Sequence, residues 1–288
     1  MKNVVGRLIL IAALIVPFSQ QARAEPLKEL AAHTHYHGVA FAQSGSTVLM
    51  LASHHGLFAV DKTGDAKRLS PEQDFMGFSA SIASPLSYFA SGHPASGGNI
   101  GFLKSDDGGS TWKQISEGMN GPVDFHQMDV SPANPQTIYG NYDGIQVSHD
   151  AGLKWKVTGA APETLIVIAA SSVAEATVFA ATKNGLQKTV DSGASWQTLG
   201  FAGEIVSLVK TAPDGSVYAF VVGRGLMKAN EKTMADWILL SNDFGNSVPL
   251  HIAVDSANSK HLALTTQNND VLESQDAGKT WKAFAGSN

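Results

Sequence analysis

The chain has 288 residues, 43% of them hydrophobic and 16% charged, with a formal net charge of −5. That length and apolar content supply a sizeable core, which excludes a disordered or collagen-like chain. There is no cysteine, so disulfides, thiolate nucleophiles and thiolate metal ligands are ruled out, and the acid excess argues against a nucleic-acid partner.

The chain opens with Lys2 and Arg7, a mostly apolar run over residues 8–18, and then Ala22-Arg23-Ala24. A positive start, a short apolar run and a small-x-small site describe a secretory signal peptide over residues 1–24. The run is short for a membrane span, and no second one follows. The expected mature protein is therefore one exported domain over residues 25–288, a monomer in the periplasm or outside the cell, without membrane insertion. Removing Lys2, Arg7 and Arg23 leaves 17 basic residues against 25 acidic ones.

From there the chain repeats one plan. An apolar strand and a Pro/Gly/Asn turn lead to a second strand. A short turn ahead of Gly-Leu or Gly-Ile leads to a third. An eight-residue turn then ends in a tryptophan that opens the fourth. Repeat one runs from about 35 to 69, with His54-His55-Gly56-Leu57 at the Gly-Leu position and a worn turn, Asp61-Lys62-Thr63-Gly64. Repeat two carries the longest insertion, over residues 92–99, and the full turn Ser105-Asp106-Asp107-Gly108-Gly109-Ser110-Thr111-Trp112. Repeat three has a first strand over 125–130, Tyr142-Asp143-Gly144-Ile145, and a turn from Ser148 to Trp155. Repeat four has Lys183-Asn184-Gly185-Leu186 and a turn from Thr189 to Trp196. Repeat five has Gly223-Arg224-Gly225-Leu226 and keeps Trp237, but Asn230-Glu231-Lys232-Thr233 replaces the turn motif. Repeat six, from about 249 to 286, has Gln267-Asn268-Asn269-Asp270 and a turn from Ser274 to Trp281.

The five tryptophans are thus spaced by 43, 41, 41 and 44 residues. A period in the low forties reads as one propeller blade per repeat. The expected fold is an all-β, six-bladed β-propeller of four-stranded blades, with residues 25–32 left to help close the ring. In the turn, the aspartate accepts backbone N–H groups, the glycine two residues on takes a positive φ, and the tryptophan packs between blades. The motif builds turns and carries no chemistry of its own.

Ser-x-Asp-x-Gly-x-Thr-Trp resembles the Asp-box, or bacterial neuraminidase (BNR) repeat, of sialidase-like propellers. The resemblance covers nearly all of the mature chain. It implies the fold and leaves the function open, because glycosidases, photosystem assembly factors and binding proteins share these repeats.

Successive turns of a blade alternate between the two faces of a propeller. The eight-residue turns define one face. The turns between second and third strands, and the starts of the first strands, lie on the other. His33, His35, His37, His54, His55, His93, His126 and His251 all fall on that other face; His149 and His261 do not. Asp74, Asp124, Glu163 and Glu204 join them at first-strand starts, with Met76 and Met128 beside them. His33-x-His35-x-His37 has period two, so an extended chain would point the three imidazoles one way. Imidazole, carboxylate and thioether together suit zinc or copper, and those eight histidines are the candidate metal ligands. The alternative is that they hydrogen-bond the closure seam.

Sialidases hold a substrate carboxylate with three arginines, because the guanidinium fork matches it. Past the leader this chain has only Arg68 and Arg224, so sialidase activity is not expected. A glycoside hydrolase needs two carboxylates across a sugar, and Asp74, Asp124, Glu163 and Glu204 are the candidates. Blades two and three also share a trace, Asp74-Phe75-Met76-Gly77-Phe78 against Asp124-Phe125-His126-Gln127-Met128.

A closer resemblance is to small secreted bacterial Asp-box proteins that carry His-x-His-x-His-Gly (33–38 here), His-His-Gly-Leu-Phe (54–58), Asp-Phe-Met-Gly-Phe (74–78) and Ser-Gly-His-Pro (91–94). Such proteins are often labelled glycosyl hydrolases, and the shared blocks implicate the histidine face. The leading expectation is a non-catalytic binding or assembly protein with a transition-metal-binding face, its partner a metal ion, a protein or a glycan. The runner-up is a glycoside hydrolase on the same face.

Overall fold

The computed structural model describes residues 24–43 and 45–285. The expected signal peptide lies outside the described residues except for Ala24. Six antiparallel sheets follow one another along the chain, each with the four strands of its blade in sequence order. Blade one is built from Tyr36–Phe41, Thr47–Ser53, Gly56–Asp61 and Asp65–Arg68, and blade two from Gln73–Ala80, Tyr88–Pro94, Phe102–Ser105 and Lys113–Ser116. Blades three to six repeat the plan from Gln127–Val130 to Lys282–Ala283. Each first strand packs against the first strands of both neighbouring blades, and blade six meets blade one the same way. The first strands therefore surround the axis.

The ring closes without exchanging a strand between its ends. Glu25–Pro26 adds a fifth strand to the outer edge of blade one by pairing with Ala66 and Asp65. A short helix, Leu27–Ala31, then drops Leu27 and Leu30 into the seam between blades six and one. Both are fully buried, against Ala253, Val271 and Phe284 on one side and Leu51 and Val60 on the other. The residues left over by the repeat count are the closing wedge.

The turns do what their chemistry dictates. In blade two, the Thr111 N–H and hydroxyl donate to the Asp107 carboxylate at 2.9 and 2.6 Å, and the Gly109 N–H donates to Ser105 Oγ at 2.9 Å. Asp150, Asp191 and Asp276 repeat the arrangement in blades three, four and six. The worn turn of blade one keeps it too, with Asp61 accepting from the Asp65 N–H at 3.1 Å. Blade five uses another device. Glu231 is buried and crosses to blade four, where its carboxylate accepts from the Ser171 hydroxyl and from the Ser172 N–H and hydroxyl.

Two details differ from the sequence expectation. Blade three's first strand begins at Gln127, not 125, because the Phe125 N–H donates to Ser91 Oγ of blade two instead of to its own sheet. The lead-in 124–126 is thereby tied across the blade junction. His93 lies within a second strand, Tyr88–Pro94, rather than in the turn after it.

Gly152 has φ +89, and an added Cβ would sit 2.0 Å from Phe102 Cε1 of the preceding blade. A methyl there meets both backbone strain and a packed ring. Gly152→Ala is expected to lower stability by about 2–4 kcal/mol, read as a lower denaturant midpoint; an unchanged midpoint would mean the blade junction yields.

Hydrogen bonds from Ser195 and Thr280 hold the Asp191 and Asp276 carboxyls at a pKa of about 2. A folded pKa below the unfolded value of about 3.9 gives stability that is present above that value and lost as pH falls through the folded one. Thermal midpoints should therefore drop between about pH 4 and pH 2. Asp191→Asn should be less stable at neutral pH and lose less on acidification, and parallel acid profiles would contradict this role.

Candidate functional site

Two clusters form on the histidine face, each across a blade junction. At the junction of blades one and two, His37 comes from a first strand, His54 from the turn after a second strand, and Asp74 from the next first strand. His54 Nδ1 lies 2.8 Å from Asp74 Oδ2, and His37 Nε2 lies 3.3 Å from the His54 ring nitrogens and 3.8 Å from Asp74 Oδ1. At the junction of blades two and three, His93 Nε2 and His126 Nε2 converge on Asp124 Oδ2 at 3.0 and 2.5 Å. His93 Nδ1–H donates to the Gly98 carbonyl at 2.8 Å, which fixes the ring with Nε2 turned towards the cluster.

Each triad brings one ligand atom per residue within 4.8 Å of the others. Each also carries an unsatisfied acceptor: Asp74 Oδ1 and Asp124 Oδ1 are buried without a hydrogen-bond partner among the described residues. They are the two carboxylate oxygens in that condition. An orphaned buried acceptor is costly, and a cation that both oxygens of the carboxylate reach would offset that cost. Two imidazoles and one carboxylate are a zinc or copper donor set, and three protein ligands leave a coordination position open.

The clusters are neighbours. Asp74 of the first and His93 of the second are directly paired across adjacent strands, about 5 Å apart at Cα for such a pair. His37 and His126, one from each, line the same cavity of about 310 Å³ at the mouth of the axial channel. Burial, and then the nearby His54, His251, His126 and His35, hold the His37 pKa down at about 3. Its imidazole is therefore neutral at physiological pH, as a metal ligand must be.

The remaining candidates separate. His33 and His35 lie outside the strand that holds His37, because the closing helix ends at Ala31 and the His33 N–H turns back to the Leu30 carbonyl. The three imidazoles are thus not one extended row. His33 pairs with Glu25 at 2.9 Å and His35 Nδ1 with Asn269 at 3.1 Å. His55 reaches the His33 carbonyl and lies 3.6 Å from Glu72. His251 lines the cavity with His37 and His126 but joins neither triad.

The four acids read as a glycosidase set also separate. Asp74 and Asp124 belong to the triads. Glu204 is paired with Arg224 at 2.5 Å, and Glu163 is exposed. None of the four lines the two axial cavities. Arg68 is likewise committed, to Glu72 at 2.9 Å. The sequence named the histidines as ligands with Asp74, Asp124, Glu163 and Glu204 beside them, and did not single out which acid joins which histidines. The shared Asp-Phe trace of blades two and three carried the missing signal, since each copy supplies one triad's carboxylate.

No family model matches the chain, and no curated protein matches it in sequence. Solved structures match its fold. The Niastella koreensis GH74 enzyme is 15% identical, with a TM-score of 0.62 over 87% of this chain and 45% of the enzyme. YCF48 bound to D1 peptide is 16% identical, with a TM-score of 0.56 over 88% and 83%. A chain of a nidogen/laminin complex is 12% identical, with a TM-score of 0.59 over 81% and 90%. This chain spans about 45% of the length of two GH74 enzymes it matches. At such identities the likeness carries the propeller fold and no chemistry.

His251 offers a test of the cavity mouth that needs no metal. Burial pushes its pKa down to about 4. A histidine whose folded pKa lies below the unfolded value of about 6.5 stabilises above that value and loses the contribution as pH falls. His251→Gln should flatten the loss of stability of metal-free protein between about pH 6.5 and pH 4; an identical profile would mean the ring is solvated.

Proposed function

We propose that this protein is an exported, non-catalytic binding propeller whose histidine face holds transition-metal ions, zinc or copper. The observation that carries the reading is the pair of clusters His37-His54-Asp74 and His93-Asp124-His126, each with its ligand atoms within 4.8 Å of one another and each with one carboxylate oxygen left without a hydrogen-bond partner among the described residues. The centres use His37, His54 and Asp74 at one junction, and His93, Asp124 and His126 at the next. His33, His35, His55 and His251 surround them. The leader over residues 1–24 supports export, and the four Asp-turns support kinship with Asp-box proteins. Among the described residues no helix is long and apolar enough to cross a membrane.

The likeness to YCF48, solved with a bound D1 peptide, and to a nidogen/laminin complex supports a binding role with a protein partner. A glycoside hydrolase acting through Asp74, Asp124, Glu163 or Glu204 is the second reading, favoured by the likeness to GH74 enzymes. Glycan turnover by metal-free protein, abolished by Asp124→Asn, would support it.

The test is metal content and affinity of untagged protein over residues 25–288. Two tightly held ions are expected. His37→Ala or Asp74→Asn should lose one, and Asp124→Asn or the exposed-site variant His126→Ala the other, while His149→Ala keeps both. Free metal at about a hundredfold its Kd should raise unfolding stability by ~2.7 kcal/mol per site, and a chelator should reverse it. Weak, non-saturating binding that survives these substitutions would reject the reading.

A further inference from the structure

The cavity that one histidine of each triad lines, His37 and His126, has a composition that their ligand chemistry does not explain. His35, His37, His126 and His251 line it together with Gln127 and several apolar residues, and it has no aspartate, glutamate, lysine or arginine in its wall. Several carboxylates on that face are committed elsewhere. Glu25 is held on His33, and Glu72 on Arg68 beside His55. Asp129, deeper in the channel, is buried and satisfied by Lys210 at 2.8 Å, by Ser79 and by the Ala170 N–H.

Charge bookkeeping follows from the donor set. A divalent ion bound by two neutral imidazoles and one carboxylate leaves each centre with a net positive charge. Asp74 of one centre lies opposite His93 of the other on adjacent strands, and His37 and His126 line one cavity, so the excess charges of the two centres add there. Neutral imidazoles and amides cannot cancel that charge, and three-ligand centres keep a coordination position open. Met76, Ile166, Val167 and Leu250 also line the cavity, along with Tyr36, Ser207, Thr266, Gln267 and Asn269. The apolar side chains Met76, Ile166, Val167 and Leu250 offer dispersion contact, which suits a hydrocarbon tail better than a fully hydrated inorganic anion.

Resting on the metal reading above, we infer that the metal-loaded cavity is a binding site for a small organic carboxylate. Its oxygen atoms take the open position on the bound ion, and its apolar end packs on Met76 and Val167. The metal-free protein has no such site, because the lining then carries no positive charge. Ligand and metal bind in that order of dependence, so the metal acts as the receptor for the anion and the protein selects the tail.

The experiment uses cobalt(II)-substituted, untagged protein in a non-coordinating buffer, with butyrate and inorganic phosphate as probes. Cobalt stoichiometry is measured first, and the visible cobalt spectrum and titration calorimetry then follow each probe. The expected result is two cobalt ions and a saturable spectral change with butyrate. Butyrate should bind at least tenfold more tightly than phosphate, and metal-free protein should give no heat. His35→Trp, which fills the cavity from outside both triads, should keep both ions and weaken butyrate at least tenfold. Two bound ions with a spectrum indifferent to butyrate would overturn this inference and leave the metal reading standing. Equal response in His35→Trp, or phosphate binding as tightly as butyrate, would overturn it as well. Failure to bind cobalt would remove the metal reading itself.

Discussion

The structure depends on a carboxylate closing a turn between a blade's third and fourth strands. Asp107, Asp150, Asp191 and Asp276 each accept a backbone N–H four residues on, at 2.8–2.9 Å. The glycine between them packs on the neighbouring blade, as Gly109 does on Leu57 and Gly152 on Phe102. One local set of hydrogen bonds thereby fixes both the hairpin and the blade spacing. It also commits one face of the ring to architecture. The opposite face is free of that constraint, and the histidines collect there.

On that face the same positions are filled in different ways around the ring. In blade five, Glu204 before the first strand meets Arg224 in the turn after the second, a permanent ion pair that needs nothing else. At the junctions of blades one to three the carboxylate meets imidazoles instead. His37 is neutral at physiological pH, and Asp74 is held by a hydrogen bond from His54 Nδ1 at 2.8 Å, with no lysine or arginine paired to it among the described residues. Such a site is incomplete by itself, and a bound cation would join two blades as well as satisfy the carboxylate. Metal binding and ring stability are therefore linked in this account.

Much of this was legible in the sequence. The tryptophan spacing and the turn motif fixed the blade count, and alternation of faces brought eight histidines to one side. Residues 25–32 read as leftovers became a wedge through Leu27 and Leu30, whose apolar spacing is too short to announce a helix. The legible part ends where side chains must choose partners. His33-x-His35-x-His37 looks like one ligand row, yet a helix cap bends the chain at His33 and sends it to Glu25. Asp74 and Asp124 look like loop acids. Only the close approach of adjacent blades, set by contacts such as Phe125 N–H to Ser91, turns them into the hub of each triad. Glu231 was likewise invisible as a staple, because its partners lie 59 and 60 residues away.

The central claim is that the two junction triads, and not the outer histidines, hold metal. Anomalous diffraction at the zinc or copper absorption edge, from crystals of metal-loaded untagged protein, tests it most directly. The account predicts two peaks, one among His37, His54 and Asp74 and one among His93, Asp124 and His126. Absence of both peaks, or density confined to His33 and His55 at the rim, would contradict it.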